Sequence, residues 1–448
     1  MNTAVDGTLR LPAQGDTPSF DTWVVRLLVA LSFCFSLLPP GLDFSRFEDA
    51  GEVSLATGSL AMQVQFGSLY LLGAWMVWRH RGWSLPRLQG MNPLPLALLA
   101  YCAVTLLWSP YPVVTLKKVI QFAGFMIVGM AIAPPVGGAH QLLRTLAGTL
   151  TALLVLSAVV VVVNPTLGID RELGNAWRGA MSQKNTLGMI AAISLLLWLR
   201  EALVGGWLPR GACVAAAVLS LGMLLMAKSS TSILVTVLGA TVYLMLRRRY
   251  LTVRRPWWVL IFATAVLLGL GVHLFHTVTG RLPTWDDIAG SIGLIFNKQS
   301  DLTGRTAIWE LVMLEVQRHP FFGIGYGSFW LGEGSPSQYI IDALYWIPLQ
   351  AHNGYLDLLN ELGVVGLLLA VGVFGWHAAQ LGRLLSFDRE DGALFSALFA
   401  ILLVSNITES EMFRGTLFHT ILFLYSSVIV SSRLVVARSS ATAVEGRP

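Results

Sequence analysis

The chain has 448 residues, 55% of them hydrophobic and only 12% charged, with a mean hydropathy of +0.66. A soluble protein carries about 25% charged residues, so this composition excludes soluble multidomain enzymes, disordered chains and secreted disulfide scaffolds. The excess of 30 Lys and Arg over 25 Asp and Glu is too small and too scattered to mark a nucleic-acid partner.

Taken in chain order, residues 1–20 are polar and mixed in charge, without the apolar stretch of a cleaved signal peptide. The first apolar run is therefore expected to stay as a signal anchor. A bilayer core of about 30 Å needs roughly 20 apolar helical residues, and on that scale about twelve spans are predicted. They centre in 22–40, 58–78, 92–108, 114–134, 143–163, 184–203, 211–227, 231–247, 256–278, 354–376, 391–407 and 415–436. Those at 92–108 and 391–407 are short. Cys34, Cys102 and Cys213 fall inside apolar runs without a CxxC or Cys/His spacing, which implies neither disulfides nor a zinc site.

Cytoplasmic loops keep the cations. With the N-terminus inside, the inner connections receive Arg79, Arg81, Arg87, Arg200, Arg210, the arginines of 247–255, Arg383 and Arg389, and the tail adds Arg433, Arg438 and Arg447. The first outer loop carries Asp43, Glu48, Asp49 and Glu52 against Arg46. Both ends are thus expected inside, and the arginines of 247–255 are assigned topology and lipid contact alone. The expected fold is an all-α integral membrane protein in three parts. Residues 1–279 hold nine spans with short loops, 280–353 form one large outer loop, and 354–448 hold three spans and a cytoplasmic tail. The outer loop far exceeds an ordinary connection, and such loops commonly carry function. No self-similar halves of the transporter kind are visible.

Several charges sit where they need a reason. In the outer loop, 305–318 reads as an amphipathic helix started by Asp301 or Thr303, with Ile308, Trp309, Val312, Met313 and Val316 on one stripe. Arg305 falls on that stripe, whereas Glu310 and Glu315 fall outside it. A guanidinium there must snorkel to lipid headgroups or meet an anion in a pocket. At the end of the loop, His352, Tyr355, Leu359, Gly363 and Gly366 share one face of a continuous helix. The two glycines then leave a groove for a lipid tail or another helix. Arg178 and Lys184 flank the sixth span, and Lys117 and Lys118 lie near the outer end of the fourth. Anionic headgroups would explain these cations, as would a bound pyrophosphate. Gly323, Gly325 and Gly327 read as a tight turn, and Asp286-Asp287 as a solvated turn or a metal-binding pair. Glu409 and Glu411 either pair with Arg414 or orient an active-site arginine.

His352-Asn353, nine residues, Gly363, two residues and Gly366 resemble the H-[NSQ]-x9-G-x2-[GTY] signature of the bacterial O-antigen ligase and polysaccharide polymerase superfamily. Gly304-Arg305-x2-Ile308-Trp309, His319-Pro320 and the glycine turn are similar to that family as well. The resemblance implies a GT-C-like, metal-independent glycosyltransferase of the inner membrane, needing no cofactor and working at the periplasmic face. Its donor would be a glycan on undecaprenyl pyrophosphate. Its acceptor would be a hydroxyl of a second lipid-linked glycan (polymerase), of lipid A core (ligase) or of a protein. By the same resemblance Arg178 and Arg305 hold the pyrophosphate, and His352 engages the acceptor hydroxyl as base or hydrogen-bond partner. Lys184, Lys117, Lys118, Asn353 and Tyr355 would complete substrate binding, with Gly363 and Gly366 forming the groove. Trp108-Ser109-Pro110 with Thr115-Leu116-Lys117-Lys118, and Trp177-Arg178-Gly179 with Lys184-Asn185, look more like exopolysaccharide polymerases than ligases. A chain-length regulator is an expected partner on the same ground. A transporter or lipid-linked sugar flippase is the rival from another class, although its ionisable residues should lie at mid-membrane.

Overall fold

A computed structural model describes residues 19–39, 59–82, 91–133, 138–171, 173–247 and 301–445. The expected span at 256–278 lies outside them, as do the acidic first outer loop, Arg87, the arginines after Arg247 in 247–255, and Asp286-Asp287.

The apolar runs form helices close to where they were predicted. In chain order they are α1 (Phe20–Leu37), α2 (Leu60–Arg79), α3 (Leu94–Val104, prolonged by a 3₁₀ turn to Leu107), α4 (Pro112–Ala131), α5 (Ala139–Val163), α6 (Lys184–Val204), α7 (Arg210–Met226) and α8 (Ser230–Arg247). The outer loop supplies α9 (Asp301–Arg318) and α10 (Gln338–Leu344), followed by α11 (Gly354–Phe387), α12 (Arg389–Ser405) and α13 (Phe418–Glu445). Eight of the described helices are long and apolar enough to cross a membrane. Helices α3 and α7 are apolar but shorter, and α12 has 17 residues. The protein is an all-α, multi-pass membrane protein. A hairpin of two residues per strand, β1 (Ile169–Asp170) with β2 (Ala176–Trp177), interrupts this pattern between α5 and α6.

One apolar core runs through the helices. A second is built inside the outer loop from Ile308, Val312, Val316, Phe329, Trp330, Ile340 and Ala351. The loop is therefore a small folded cap, and its α9 packs on α11. Three of the five stripe residues expected on α9 are buried in this core, whereas Met313 is exposed. Glu315, expected off the buried face, is only 5% exposed because it takes Arg318 at 2.9 Å and His319 at 3.4 Å. A carboxylate leaves water more readily when a cation and a second polar partner meet it.

Three of the arginines expected inside, Arg200, Arg247 and Arg433, meet the acidic start of α12. Arg433 bonds Asp388 at 2.6 Å and also Asp391, Arg200 reaches Glu201 at 3.1 Å and Asp391 at 3.4 Å, and Arg247 reaches Glu390 at 2.9 Å. These bonds join α6, α8, α12 and α13. Arg247 thus has a packing role beyond the topology and lipid contact assigned to it.

Helix α11 is not the continuous helix the sequence suggested. Gly363 has φ 64° and ψ −169°, a conformation open essentially to glycine alone, and the helix breaks there. The backbone bonds lost at the break are remade with the glycine turn of the cap. The amides of Val364 and Val365 donate to the carbonyls of Pro320 (2.9 Å) and Phe321 (3.2 Å). In return, the carbonyls of Asn360 and Glu361 accept from the amides of Ile324 (3.1 Å) and Gly325 (2.9 Å). Tyr101 Oη donates to the carbonyl of Leu362 at 3.0 Å. A Cβ on Gly363 would lie 2.3 Å from the Phe321 carbonyl, so the groove expected at this glycine is filled by loop backbone, while at Gly366 an added carbon would meet the side chain of Leu362. His352 also lies before the helix, with φ 53°, and does not share a helical face with the glycines.

Candidate functional site

The site begins with the turn before α11. Asn353 caps that helix, its Oδ1 accepting from the amides of Tyr355 (3.1 Å) and Leu356 (3.2 Å). This satisfies two donors that every helix start leaves open. The residue before the cap is His352, in a left-handed conformation uncommon for a non-glycine side chain. Its neighbours hold it there. The amide of Ala351 donates to Asp357 Oδ2 (3.2 Å), that of Asn353 to Ser410 Oγ (3.1 Å) and that of Gly354 to the Asn406 carbonyl (2.8 Å). From the cap, Trp309 Nε1 donates to the Ala351 carbonyl at 2.8 Å. Asp357, 1% exposed, also accepts from Trp330 Nε1 at 2.7 Å and Arg414 Nη1 at 3.2 Å. Strain that is fixed from several sides in this way is typical of functional positions.

The segment joining α12 to α13 places Glu409 against this turn. Its Oε2 lies 3.1 Å from His352 Nδ1 and accepts from Gln350 Nε2 at 3.1 Å. Its Oε1 accepts from Asn185 Nδ2 at 2.7 Å and meets Arg305 Nη2 at 3.4 Å. One carboxylate thus joins residues from α6, α9, the His352 turn and the α12–α13 connection. Burial works to raise the Glu409 carboxyl, but the His352 bond, the His352 and Arg305 charges and the Asn185 amide outweigh it. They hold its pKa below the ordinary carboxylate value. Nδ1 has two neighbours, Glu409 Oε2 at 3.1 Å and Gln350 Nε2 at 3.2 Å. In the tautomer that donates from Nδ1 to the ionised carboxylate, Nε2 is the proton acceptor.

A pH consequence follows. The folded pKa of Glu409 lies below its unfolded value, so its contribution to stability is complete above the ordinary carboxylate range. It is lost as pH falls through the lowered folded value. In detergent, the gap in thermal midpoint between wild type and Glu409→Gln should narrow as pH falls through the lowered Glu409 value, and should not narrow before the ordinary carboxylate range is reached.

The other expected residues take their own places. Lys184, 4% exposed, is the first residue of α6, next to Asn185. Arg178 donates through Nε to the Leu167 carbonyl at 2.7 Å, closing the hairpin ahead of α6. Lys117 and Lys118 lie on α4, and Lys118 lines a polar cavity together with Glu361 and Arg414. Tyr355 turns its hydroxyl to the Leu403 carbonyl at 2.9 Å, which fixes α11 to α12. Asn353 Oδ1 and the Tyr355 hydroxyl are thus both engaged in structural bonds. Glu409 pairs with Arg305 rather than with Arg414. Arg414 pairs with Asp357 instead of either loop glutamate, and Glu411 bonds His419 Nδ1 at 3.0 Å. A cleft of about 830 Å³ among the described residues is lined mainly by apolar and aromatic side chains, with Arg318 and His319. It holds none of this chemistry.

Residues 215–371 match the family described as O-antigen ligase, a stretch that includes Arg305, His352 and Gly363. That stretch, together with the His352–Gly366 signature, is similar to the O-antigen ligase and polysaccharide polymerase superfamily. It is 28% identical over 334 residues to the exopolysaccharide production protein ExoQ of Rhizobium meliloti, over 70% of this chain and 72% of that protein. These likenesses support a membrane enzyme of polysaccharide biosynthesis, of the ligase or polymerase type. Two parts of the site, Asn185 and Glu409, lie outside the matched stretch. Gln350 and Asp357 were not expected at all. The signal for Asp357 was a carboxylate four residues into an apolar span, where ionisable groups are rare and commonly functional.

Proposed function

We propose that this protein is a periplasm-facing, metal-independent glycosyltransferase that moves a glycan from undecaprenyl pyrophosphate to a sugar hydroxyl, acting as a polymerase. The observation that carries the reading is Glu409 bonded to both His352 and Arg305. In the proposed step the acceptor hydroxyl oxygen attacks the anomeric carbon of the donor glycan. The bond from that carbon to the pyrophosphate oxygen breaks, and its electron pair leaves with the pyrophosphate. His352 Nε2 takes the hydroxyl proton, and Glu409 stabilises the imidazolium that forms. Arg305 and Lys184 hold the departing charge, with Arg178 adding to the field from the hairpin ahead of α6. Arginines aimed at a leaving pyrophosphate can take the place of a metal, because neutralising its charge is the main task.

The name of the similar exopolysaccharide production protein supports polymerisation, while the family description supports ligation to lipid A core as the second reading. The test uses purified protein, an undecaprenyl-pyrophosphate-linked repeat as sole substrate, and EDTA. A ladder of longer lipid-linked glycans is expected, absent in His352→Ala. Transfer that needs added lipid A core would make the protein a ligase. Passage of labelled substrate through liposomes with no new glycosidic bond would make it a transporter, and activity lost to EDTA would overturn the metal-independent mechanism.

A further inference from the structure

A cavity of about 310 Å³ opens beside the His352 turn, lined among others by Lys118, Tyr326, Gln350, Glu361, Glu411 and Arg414. Gln350 belongs to both places, since its Nε2 donates to Glu409. The volume stands at the lower end of small-molecule sites, about 300–1,000 Å³. Glu361 sits at the break in α11 and is only 3% exposed. Its Oε2 accepts from the amide of Gly327 at 2.8 Å, while Oε1 accepts from no donor among the described residues. A buried carboxylate oxygen without a donor is unfavourable unless something bound there supplies one. The transfer step proposed above makes no use of this group.

The charge around the cavity decides what fits. Lys118 and Arg414 face Glu361 and Glu411, and Arg414 is further neutralised by Asp357. A pyrophosphate placed there would meet carboxylates as well as cations. A neutral polyol would not, because its hydroxyls donate to carboxylates and accept from amides and cations alike. We infer that this cavity is a sugar-binding subsite, in which Glu361 Oε1 accepts a hydrogen bond from a hydroxyl of the acceptor glycan. The inference rests on the transferase reading and makes Glu361 a specificity residue. A glycan lacking that hydroxyl leaves the oxygen unpaired, which is the strongest form of polar discrimination available to a binding site. Lys118, expected at the pyrophosphate, serves the sugar instead.

The probe is the oligosaccharide released by mild acid from the host's polyprenyl-linked repeat, titrated into the purified full-length protein and followed by calorimetry. Wild type should bind it. Glu361→Gln, which keeps size and replaces the accepting oxygen with an NH₂, should weaken binding by about tenfold, the worth of one hydrogen bond. Leu331→Trp, which fills the cavity from a half-buried wall, should abolish it. If Glu361→Gln fails to fold, Leu331→Trp decides alone. No binding by wild type, or unchanged affinity in either folded variant, overturns the subsite. So does binding of inorganic pyrophosphate that Leu331→Trp removes. The transferase reading is judged separately, by release of undecaprenyl pyrophosphate from the donor with water as acceptor.

Discussion

Glycan transfer by Glu409→Gln is expected to fall by about 10²- to 10⁴-fold at neutral pH, while the protein remains folded in the membrane. In the proposed transfer step the carboxylate would do three things that an amide of equal size cannot do together. It would favour hydrogen on Nδ1 of His352, stabilise the imidazolium formed as the proton is taken, and hold Arg305 by charge. A glutamine can turn its NH₂ toward Nδ1 and so place the hydrogen on Nε2, where it blocks proton acceptance. The loss should therefore appear in kcat. The donor KM should not rise, because Arg305 freed from its carboxylate still attracts pyrophosphate. Adding His352→Ala to Glu409→Gln should cost little more than either change alone, as expected of residues acting as one unit. A Glu409→Gln enzyme with wild-type kcat, measured as release of undecaprenyl pyrophosphate, would remove Glu409 and its pairing from the mechanism.

The parts of this site differ in how far they could be read without coordinates. Arg305 and His352 were legible one at a time, because a cation on an apolar stripe and an imidazole at a span entrance each break a local pattern. Their meeting was not. Glu409 lies 104 residues from Arg305 and 57 from His352, and no periodicity relates positions so far apart. The spans were legible because lipid demands a long apolar helix whatever surrounds it. The cap was less so. Its helix has one stripe buried under the cap's own core and a glutamate drawn inward by Arg318 and His319, which a simple face rule misassigns. Placing His352 on the face of α11 failed for a related reason. The 100° step assumes an unbroken helix, whereas Asn353 starts α11 after the histidine and Gly363 interrupts it.

That interruption carries the second large effect. Gly363→Ala is expected to destabilise the protein by about 4 kcal/mol or more, beyond the usual range for a single substitution. Two costs combine. The φ of 64° with ψ of −169° belongs to a region that alanine enters only with strain, about 1–3 kcal/mol. The new methyl group would also lie 2.3 Å from the Phe321 carbonyl and 2.5 Å from the Phe322 amide, both of them backbone that cannot swing aside. Relieving the clash means separating the glycine turn from the break. The bonds of Val364 and Val365 to the turn would go, together with those from Ile324 and Gly325, leaving buried backbone groups unpaired. Gly375→Ala is the internal control. It lies in the same helix with nothing within 4 Å of the added carbon, so it should be neutral or stabilising by up to about 1 kcal/mol. Thermal midpoints of the two variants in detergent, read with the yield of monodisperse protein, compare them directly. A Gly363→Ala protein that melts with Gly375→Ala would mean that α11 can run straight through this point. The carboxylate of Glu361 would then owe its position to something other than the break.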